Sequence, residues 1–265
     1  MSLEVIHRPS TTDATGVPLL FVHGSYHGAW CWDEHFMPYF AERGHDCHAV
    51  SLRGHGDSPG RERLHELTLA DYVADVVEAA GRIEGTPVLV GHSMGGAVAQ
   101  LVAREHPESL AGLVLLNSVP PAGLGPESLR LVFRHFRELR GLRAFNRGAG
   151  EFPTRLFYSD ALPEAERAAV AARLQPESDK VNYAVNKRVL SGAPAVRVPL
   201  LVLGSTADRV VSARSVQATA KAYGTEPVLL EGVGHVSMLD PQWRRVAERT
   251  LDFLKTVGDA EEARK

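Results

Sequence analysis

The chain has 265 residues, with 29 basic and 32 acidic side chains and a formal net charge of −3. That length suits one large α/β domain or a domain with an insertion. The balanced charge predicts neither a nucleic-acid partner nor an anionic membrane surface. No apolar run approaches the roughly 18 residues that span a bilayer. The first residues lack the apolar segment of a secretory signal. We therefore expect a soluble, cytoplasmic protein.

Strands and helices alternate in the first part of the chain. The predicted strands lie at 3–7, 17–22, 47–50, 88–90 and 113–116, and the predicted helices at 30–43, 68–83 and 94–106. The same alternation returns with strands at 200–203 and 227–230 and helices at 213–223 and 241–257. This order is typical of a mainly parallel sheet covered by helices on both faces.

The pattern changes near Val119, where a linker rich in proline and glycine begins. Three helical stretches follow without a convincing strand, so we predict a helical cap at 119–196 between core segments 1–118 and 197–265. The first stretch carries an apolar stripe formed by Leu129, Val132, Phe133, Phe136 and Leu139. We expect Phe133 and Phe136 to face the substrate pocket.

A Gly-His-Ser-Met-Gly sequence at 91–95 joins a predicted strand to a predicted helix. A serine at such a tight turn projects its hydroxyl above the sheet. Glycine is needed at 91 and 95 because a Cβ there would collide with the neighbouring strand or helix. The helix start also offers free N–H groups and the positive end of a dipole. The pattern predicts Ser93 as a nucleophile.

A serine hydroxyl needs a base to activate it, and the base needs an acid to hold it. Of the twelve histidines, only His235 lies after residue 135, and it follows the last predicted strand. Asp208 follows the strand before that one and is the only aspartate between the predicted cap and His235. Glu231 is a weaker alternative. We therefore predict a triad of Ser93, Asp208 and His235.

Acyl transfer also needs donors for an oxyanion. The backbone N–H groups of Met94 and Ser25 are the candidates, since Gly24 permits close approach of its loop. We expect Gly24, Tyr26 and His27 to border the pocket.

No histidine or cysteine spacing resembles a metal site. No nucleotide-binding glycine motif occurs, so we expect neither metal nor cofactor.

These residues together resemble the α/β-hydrolase superfamily. The segment Phe-Val-His-Gly-Ser-Tyr-His-Gly-Ala-Trp-Cys-Trp at 21–32, with Gly-His-Ser-Met-Gly-Gly at 91–96, is most similar to the group of plant methylesterases and hydroxynitrile lyases with their bacterial relatives. The resemblance covers roughly 17–118 and 197–257. It implies an α/β-hydrolase fold and a cofactor-free serine hydrolase with the predicted triad.

Two departures from that group bear on activity. Its lyases carry threonine and lysine where this chain has Gly24 and Val236, so we do not expect lyase activity. The predicted cap contains no tryptophan, so the aromatic pocket of the plant enzymes is not reproduced.

The sequence favours a hydrolase that cleaves a carboxylic ester of a small or medium apolar substrate through an acyl-enzyme. A small-ligand receptor on the same scaffold and a C–C bond hydrolase with the same triad are the alternatives. An oligomeric state is not predicted, and pairing of Cys31 with Cys47 stays open.

Overall fold

The computed structural model describes residues 2–12, 16–191 and 196–262. Residues 192–195, at the end of the predicted cap, lie outside the described part. Seven strands form one sheet in the order β1-β3-β2-β4-β5-β6-β7. They are β1 (Val5–Arg8), β2 (Leu19–Val22), β3 (Cys47–Val50), β4 (Val88–His92), β5 (Gly112–Leu116), β6 (Leu200–Ser205) and β7 (Pro227–Leu230). Only β1 is antiparallel to its neighbour, so the prediction of a mainly parallel sheet is confirmed.

Helices connect most of the parallel strands. In chain order they are α1 (Trp30–Asp33), α2 (Phe36–Ala41), α3 (Leu69–Ala80), α4 (Met94–Glu105), α5 (Gly125–Arg134), α6 (Phe136–Asn146), α7 (Thr154–Phe157), α8 (Glu164–Ala171), α9 (Asp179–Val185), α10 (Ala213–Tyr223) and α11 (Trp243–Glu262). Short 3-10 turns lie at Arg61–Glu66, Pro107–Ser109 and Ser237–Leu239.

The central strands explain the fold class. Every residue of β2, β4 and β5 is buried. Successive side chains of a strand point to opposite faces, so both faces of the sheet are covered. Helix α2 packs on α11 and β3, whereas α4 packs on α3 and β4. The nearly unbroken apolar runs of these strands are therefore a consequence of burial on both sides.

The helix starts follow local chemistry. Thr68 precedes α3, and its hydroxyl accepts a hydrogen bond from the Asp71 N–H while the Asp71 carboxylate accepts one from the Thr68 N–H. This reciprocal cap satisfies two donors that the helix cannot pair internally. Ser178 and Ser212 cap α9 and α10 through the hydroxyl alone, which accepts from the N–H groups of Val181 and Ser215.

The described residues between β5 and β6 contain the helices α5 to α9, joined by loops, and no strand. The sequence predicted three helical stretches; the structure divides the first into α5 and α6, has α8 and α9 in the other two, and adds the short helix α7, which was not predicted. The first stretch breaks at His135, whose φ of −133° is not helical. The predicted helix at 30–43 is likewise two helices, α1 and α2. The division into core and cap at 119–196 stays a prediction.

Two further sequence expectations concern membranes and cysteines. In the described part of the chain, no helix has both the length and the apolar character needed to cross a bilayer. Cys31 and Cys47 are buried and unpaired. Burial raises the pKa of both thiols, so they stay protonated near neutral pH.

Candidate active site

Ser93 lies between the end of β4 at His92 and the start of α4 at Met94. Its backbone has φ of 52° and ψ of −117°, a strained conformation for a residue with a side chain. The strain turns the hydroxyl away from the sheet and toward the loops beyond its carboxyl edge.

Close packing around the turn explains the flanking glycines. A Cβ on Gly91 would lie 2.6 Å from the carbonyl oxygen of Gly95. A Cβ on Gly95 would overlap the backbone carbonyls of Val22 and His23 at the end of β2. The predicted need for glycine at 91 and 95 is confirmed.

The three predicted triad residues are joined by hydrogen bonds. The Ser93 hydroxyl lies 2.9 Å from Nε2 of His235, and Nδ1 of His235 lies 2.7 Å from Oδ2 of Asp208. With Nδ1 protonated, His235 donates to the carboxylate and its Nε2 is free to accept the serine proton. The other Asp208 oxygen accepts from the N–H groups of Val210 and Val211, at 2.7 and 2.9 Å.

All three side chains are buried, as catalysis in a low-dielectric site requires. The alternative acid, Glu231, is exposed. Its backbone carbonyl accepts from Arg245, and its carboxylate forms no ion pair with another described residue. The geometry therefore favours Asp208 over Glu231.

Two residues that the sequence did not single out hold His235 from its backbone side. Its carbonyl oxygen accepts from Nδ2 of Asn117 at 2.6 Å and from Nε2 of His92 at 2.9 Å. Burial, reinforced by the neighbouring His235, holds the pKa of His92 well below its usual value. His92 is therefore neutral. Their positions in the sequence could have indicated this role, because Asn117 directly follows β5 and His92 lies inside the turn motif.

The two proposed oxyanion donors lie beside the nucleophile. Ser25, Ser93 and Met94 line one cavity. Within the described residues, the N–H groups of Ser25 and Met94 have no hydrogen-bond acceptor. Free donors next to a serine hydroxyl are what a developing oxyanion needs. Gly24, predicted to border the pocket, does not line the cavity. A Cβ there would lie 2.6 Å from the His92 ring and 3.1 Å from Cβ of Ser93, so the loop passes close to the nucleophile.

We call residues 24–27 the oxyanion loop. The side chain of His27, predicted to border the pocket, is instead buried and does not line the cavity. Its Nδ1 bonds the Ser25 carbonyl at 2.9 Å, and its Nε2 bonds the Tyr158 hydroxyl at 2.8 Å. Burial lowers the pKa of His27 to about 4, so the ring is neutral, with Nδ1–H as donor and Nε2 as acceptor from Tyr158.

Tyr26 lines the cavity, as predicted, and has a φ of 72° in the left-handed region. Its carbonyl accepts from the N–H of Gln175 at 3.1 Å. The ring meets those of Phe145, Phe152 and Phe157 at steep angles. The oxyanion loop is thus held by Tyr158 and Gln175, both from the chain between β5 and β6.

The cavity has a volume of about 440 Å³. Most of its wall is apolar, with polar and charged side chains from α6 and α9. Its lining comprises Ser25, Tyr26, Ser93, Met94, Val119, Leu124, Ser128, Leu131, Val132, Leu139, Leu142, Arg143, Asn146, Arg147, Leu156, Phe157, Asp179, Asn182, Tyr183, Val185, Asn186 and Val210.

Phe133 and Phe136 do not line this cavity, and the prediction that they face it was wrong. Both side chains are exposed. The continuous stripe assumed one helix, but the break at His135 separates α5 from α6. Only part of the stripe then lines the cavity, namely Val132 on α5, beside Leu131, and Leu139 on α6.

Several curated proteins are similar to part of this chain. A pyrethroid hydrolase from Sphingobium wenxiniae is 34% identical over 118 residues, which is 44% of this chain and 41% of the relative. Methylesterase 9 from Arabidopsis thaliana is 34% identical over 44% of this chain and 45% of its own length. Methyl jasmonate esterase 1 from Vitis vinifera is 29% identical over 60% and 61%. The matches thus span less than two thirds of these relatives.

Solved structures extend the likeness to the whole fold. An esterase from Exiguobacterium antarcticum superposes with a TM-score of 0.75 at 19% identity, covering 96% of this chain and 95% of its own. That identity supports the fold alone. The sequence model described as the alpha/beta hydrolase family matches residues 19–249, most of the chain. The chain therefore belongs to the alpha/beta hydrolase family.

Proposed function

We propose that the chain is a serine hydrolase that cleaves carboxylic esters of small or medium, largely apolar substrates through an acyl-enzyme. The observation that carries this proposal is the hydrogen-bonded line Ser93–His235–Asp208, which ends at a mostly apolar cavity. A buried serine with a base and a buried carboxylate in line is suited to acyl transfer.

In the first half-reaction, the Ser93 hydroxyl attacks the acyl carbon while Nε2 of His235 takes its proton. The Asp208 carboxylate stabilises the imidazolium that forms. The N–H groups of Ser25 and Met94 donate to the oxyanion of the tetrahedral intermediate. His235 then returns the proton to the leaving alcohol, and the acyl group stays on Ser93.

In the second half-reaction, water takes the place of the alcohol. His235 removes a proton from the water as it attacks the acyl carbon, and the same two N–H groups hold the second oxyanion. Collapse of this intermediate returns the proton to Ser93 and releases the carboxylic acid. The proton that His235 takes from the water is the one that returns to Ser93, so the protons balance.

The decisive experiment combines turnover with covalent labelling. We expect hydrolysis of p-nitrophenyl esters and fluorophosphonate labelling at Ser93. Ser93→Ala should lose labelling and lower kcat roughly 10³-fold or more. Ser128→Ala, a control at another serine of the same cavity, should keep both. Pyrethroids and methyl jasmonate belong in the ester panel, since two relatives are named for them.

The outcomes separate this proposal from its alternatives. Full turnover in Ser93→Ala would remove Ser93 as the nucleophile. Tight retention of a ligand without turnover of any ester would favour the receptor, and cleavage of a β-diketone in preference to every ester would favour the C–C bond hydrolase.

Ser25→Ala separates the backbone donor from the side chain. Because the substitution keeps the N–H, we expect activity to stay within a few fold of the unmodified enzyme. A loss as large as that of Ser93→Ala would mean that the Ser25 hydroxyl takes part.

A further inference from the structure

Large apolar side chains that stay exposed are concentrated on one part of this molecule. They lie on α5, α6 and α9, at Leu129 (63% exposed), Val132 (44%), Phe133 (80%), Phe136 (63%) and Tyr183 (67%). Single exposed apolar residues are common, but a group of this size usually marks a surface that binds something.

The same surface is strongly basic. Residues 129–147 contain six arginines and one acidic residue, Glu138, in a chain whose formal net charge is −3. Arg130 pairs with Glu127. The other five arginines are exposed and form no ion pair with any described acidic residue; they are Arg134, Arg137, Arg140, Arg143 and Arg147. We call these five arginines and the five apolar residues the apolar-basic face.

The apolar-basic face borders the cavity over Ser93. Val132, Tyr183, Arg143 and Arg147 belong to this face and also line the cavity. Because these four side chains are exposed, the cavity reaches the surface among them. Whatever covers the face therefore lies beside the entrance to the cavity.

We propose that the apolar-basic face docks on an anionic lipid surface. Phe133 and Phe136 enter the boundary between headgroups and acyl chains, and the arginines contact lipid phosphates. Short helices with aromatic and aliphatic residues beside arginines have the composition of segments that lie in a membrane interface. Anionic lipids supply the negative charge that the described part of the chain does not.

Charge argues against the other occupants. A second copy docked through the same face would bring two sets of five arginines together, which is repulsive. An acidic peptide would satisfy the arginines, but Phe133 and Phe136 are exposed and do not line the cavity, so such a peptide would leave these rings in contact with water. The balanced charge of the whole chain did not predict an anionic membrane surface, because it averages over this local group of arginines.

Docking in this orientation places the cavity entrance against the lipid. An apolar ester dissolved in the membrane then reaches Ser93 without crossing water. This consequence for substrate supply rests on the proposed ester hydrolysis, whereas the docking itself does not.

The test is sedimentation with vesicles of phosphatidylcholine, with and without phosphatidylglycerol. We expect the protein to bind only the anionic vesicles and to be released by salt. Each arginine near such a surface contributes about 1 kcal/mol. Arg137→Gln/Arg140→Gln should therefore weaken binding by about 10-fold or more. Phe133→Gln/Phe136→Gln should weaken it to a similar extent.

The matched control is Arg82→Gln/Arg249→Gln, which removes the same charge from exposed positions on the core. It should bind like the unmodified protein. All three variants should keep their hydrolysis of a soluble ester, because none of these residues lines the cavity. Ser93→Ala should still bind vesicles, which separates docking from catalysis.

Three results would overturn the proposal. One is no binding of the unmodified protein to anionic vesicles. Another is that Phe133→Gln/Phe136→Gln binds anionic vesicles as tightly as the unmodified protein. The third is a dimer in sedimentation equilibrium that dissociates in Phe133→Gln/Phe136→Gln, which would assign the face to a second copy instead.

Discussion

Asn117 and His92 donate to one backbone oxygen, the carbonyl of His235, and through it they fix the ring that bridges Ser93 and Asp208. Asn117 also has a φ of 44°, so its own backbone is strained. Strain and paired donors at a point that substrate does not touch indicate a positioning role.

Replacing Asn117 by Leu removes one donor at similar volume. The His235 loop should then sample other positions, so we expect kcat to fall about 10-fold or more with little change in KM. Thr250→Val is the control, because it removes a buried hydrogen bond on α11. If Asn117→Leu lost only folding stability and kept its kcat, as expected for Thr250→Val, Asn117 would stabilise the fold without positioning His235.

Tyr158→Phe tests the support of the oxyanion loop. It removes the only side-chain donor to Nε2 of His27 in the described part of the chain, so the Ser25 N–H should be less well placed. We expect kcat to fall about 10-fold while fluorophosphonate labelling of Ser93 continues. Tyr223→Phe loses a similar bond, to Gln100, and should keep kcat. Unchanged kcat in Tyr158→Phe would refute the idea.

At the scale of elements, the turn between β4 and α4 is tightly constrained. The helix can approach β2 only because glycine occupies both ends of the turn motif. The parallel strands end at one edge, so residues in the loops that follow β4, β6 and β7 meet there.

Gly91→Ala should destabilise this turn severely. Its Cβ would meet backbone and Ala99 atoms at 2.6 to 2.8 Å, and the interior cannot move to relieve them. We expect a loss of at least about 2 kcal/mol in the free energy of unfolding by urea, or failure to fold. Gly81→Ala, which meets only ordinary contacts from 3.5 Å, should be tolerated. Equal stability of the two variants would contradict this account.

The sequence predicted the parts of the fold that depend on local pattern. Buried strands read as apolar runs, and Ser93, Asp208 and His235 each follow their own strand, so their meeting could be inferred from topology. Helical periodicity, by contrast, specifies a stripe but not the direction in which it faces. Phe133 and Phe136 were misplaced for that reason, since the break at His135 depends on tertiary packing.

The link between His27 and Tyr158 could not be predicted either. The two residues are 131 positions apart in the chain, and neither belongs to a motif that requires the other. Such contacts depend on how the segment between β5 and β6 packs on the sheet. A local sequence pattern does not determine that packing.

At the scale of the whole molecule, buried neutral histidines tie stability to pH. Burial is the main cause that lowers the pKa of His23, His27 and His92. In the unfolded chain these side chains titrate near pH 6.5. Below that pH the unfolded state binds protons that the folded state cannot, so the unfolding free energy falls.

We therefore expect stability in urea to decrease from about pH 7 to about pH 5, and to be independent of these groups above pH 7. For His27 the loss continues to a pH of about 4. His27→Gln should flatten the dependence, whereas His106→Gln, at the surface end of α4, should not. A dependence that was unchanged in His27→Gln would show that His27 is protonated equally in both states.

The attachment of the oxyanion loop to Tyr158 and Gln175 has a consequence for divergence within this family. The segment between β5 and β6 supplies both a wall of the cavity and the support of the loop that carries the proposed oxyanion donor Ser25. A change in this segment is therefore expected to alter substrate selectivity and kcat at the same time. A chimera that received this segment from a relative would change both its kcat and its substrate preference. Its kcat would be retained only if the new segment also placed a hydroxyl at position 158 to donate to His27.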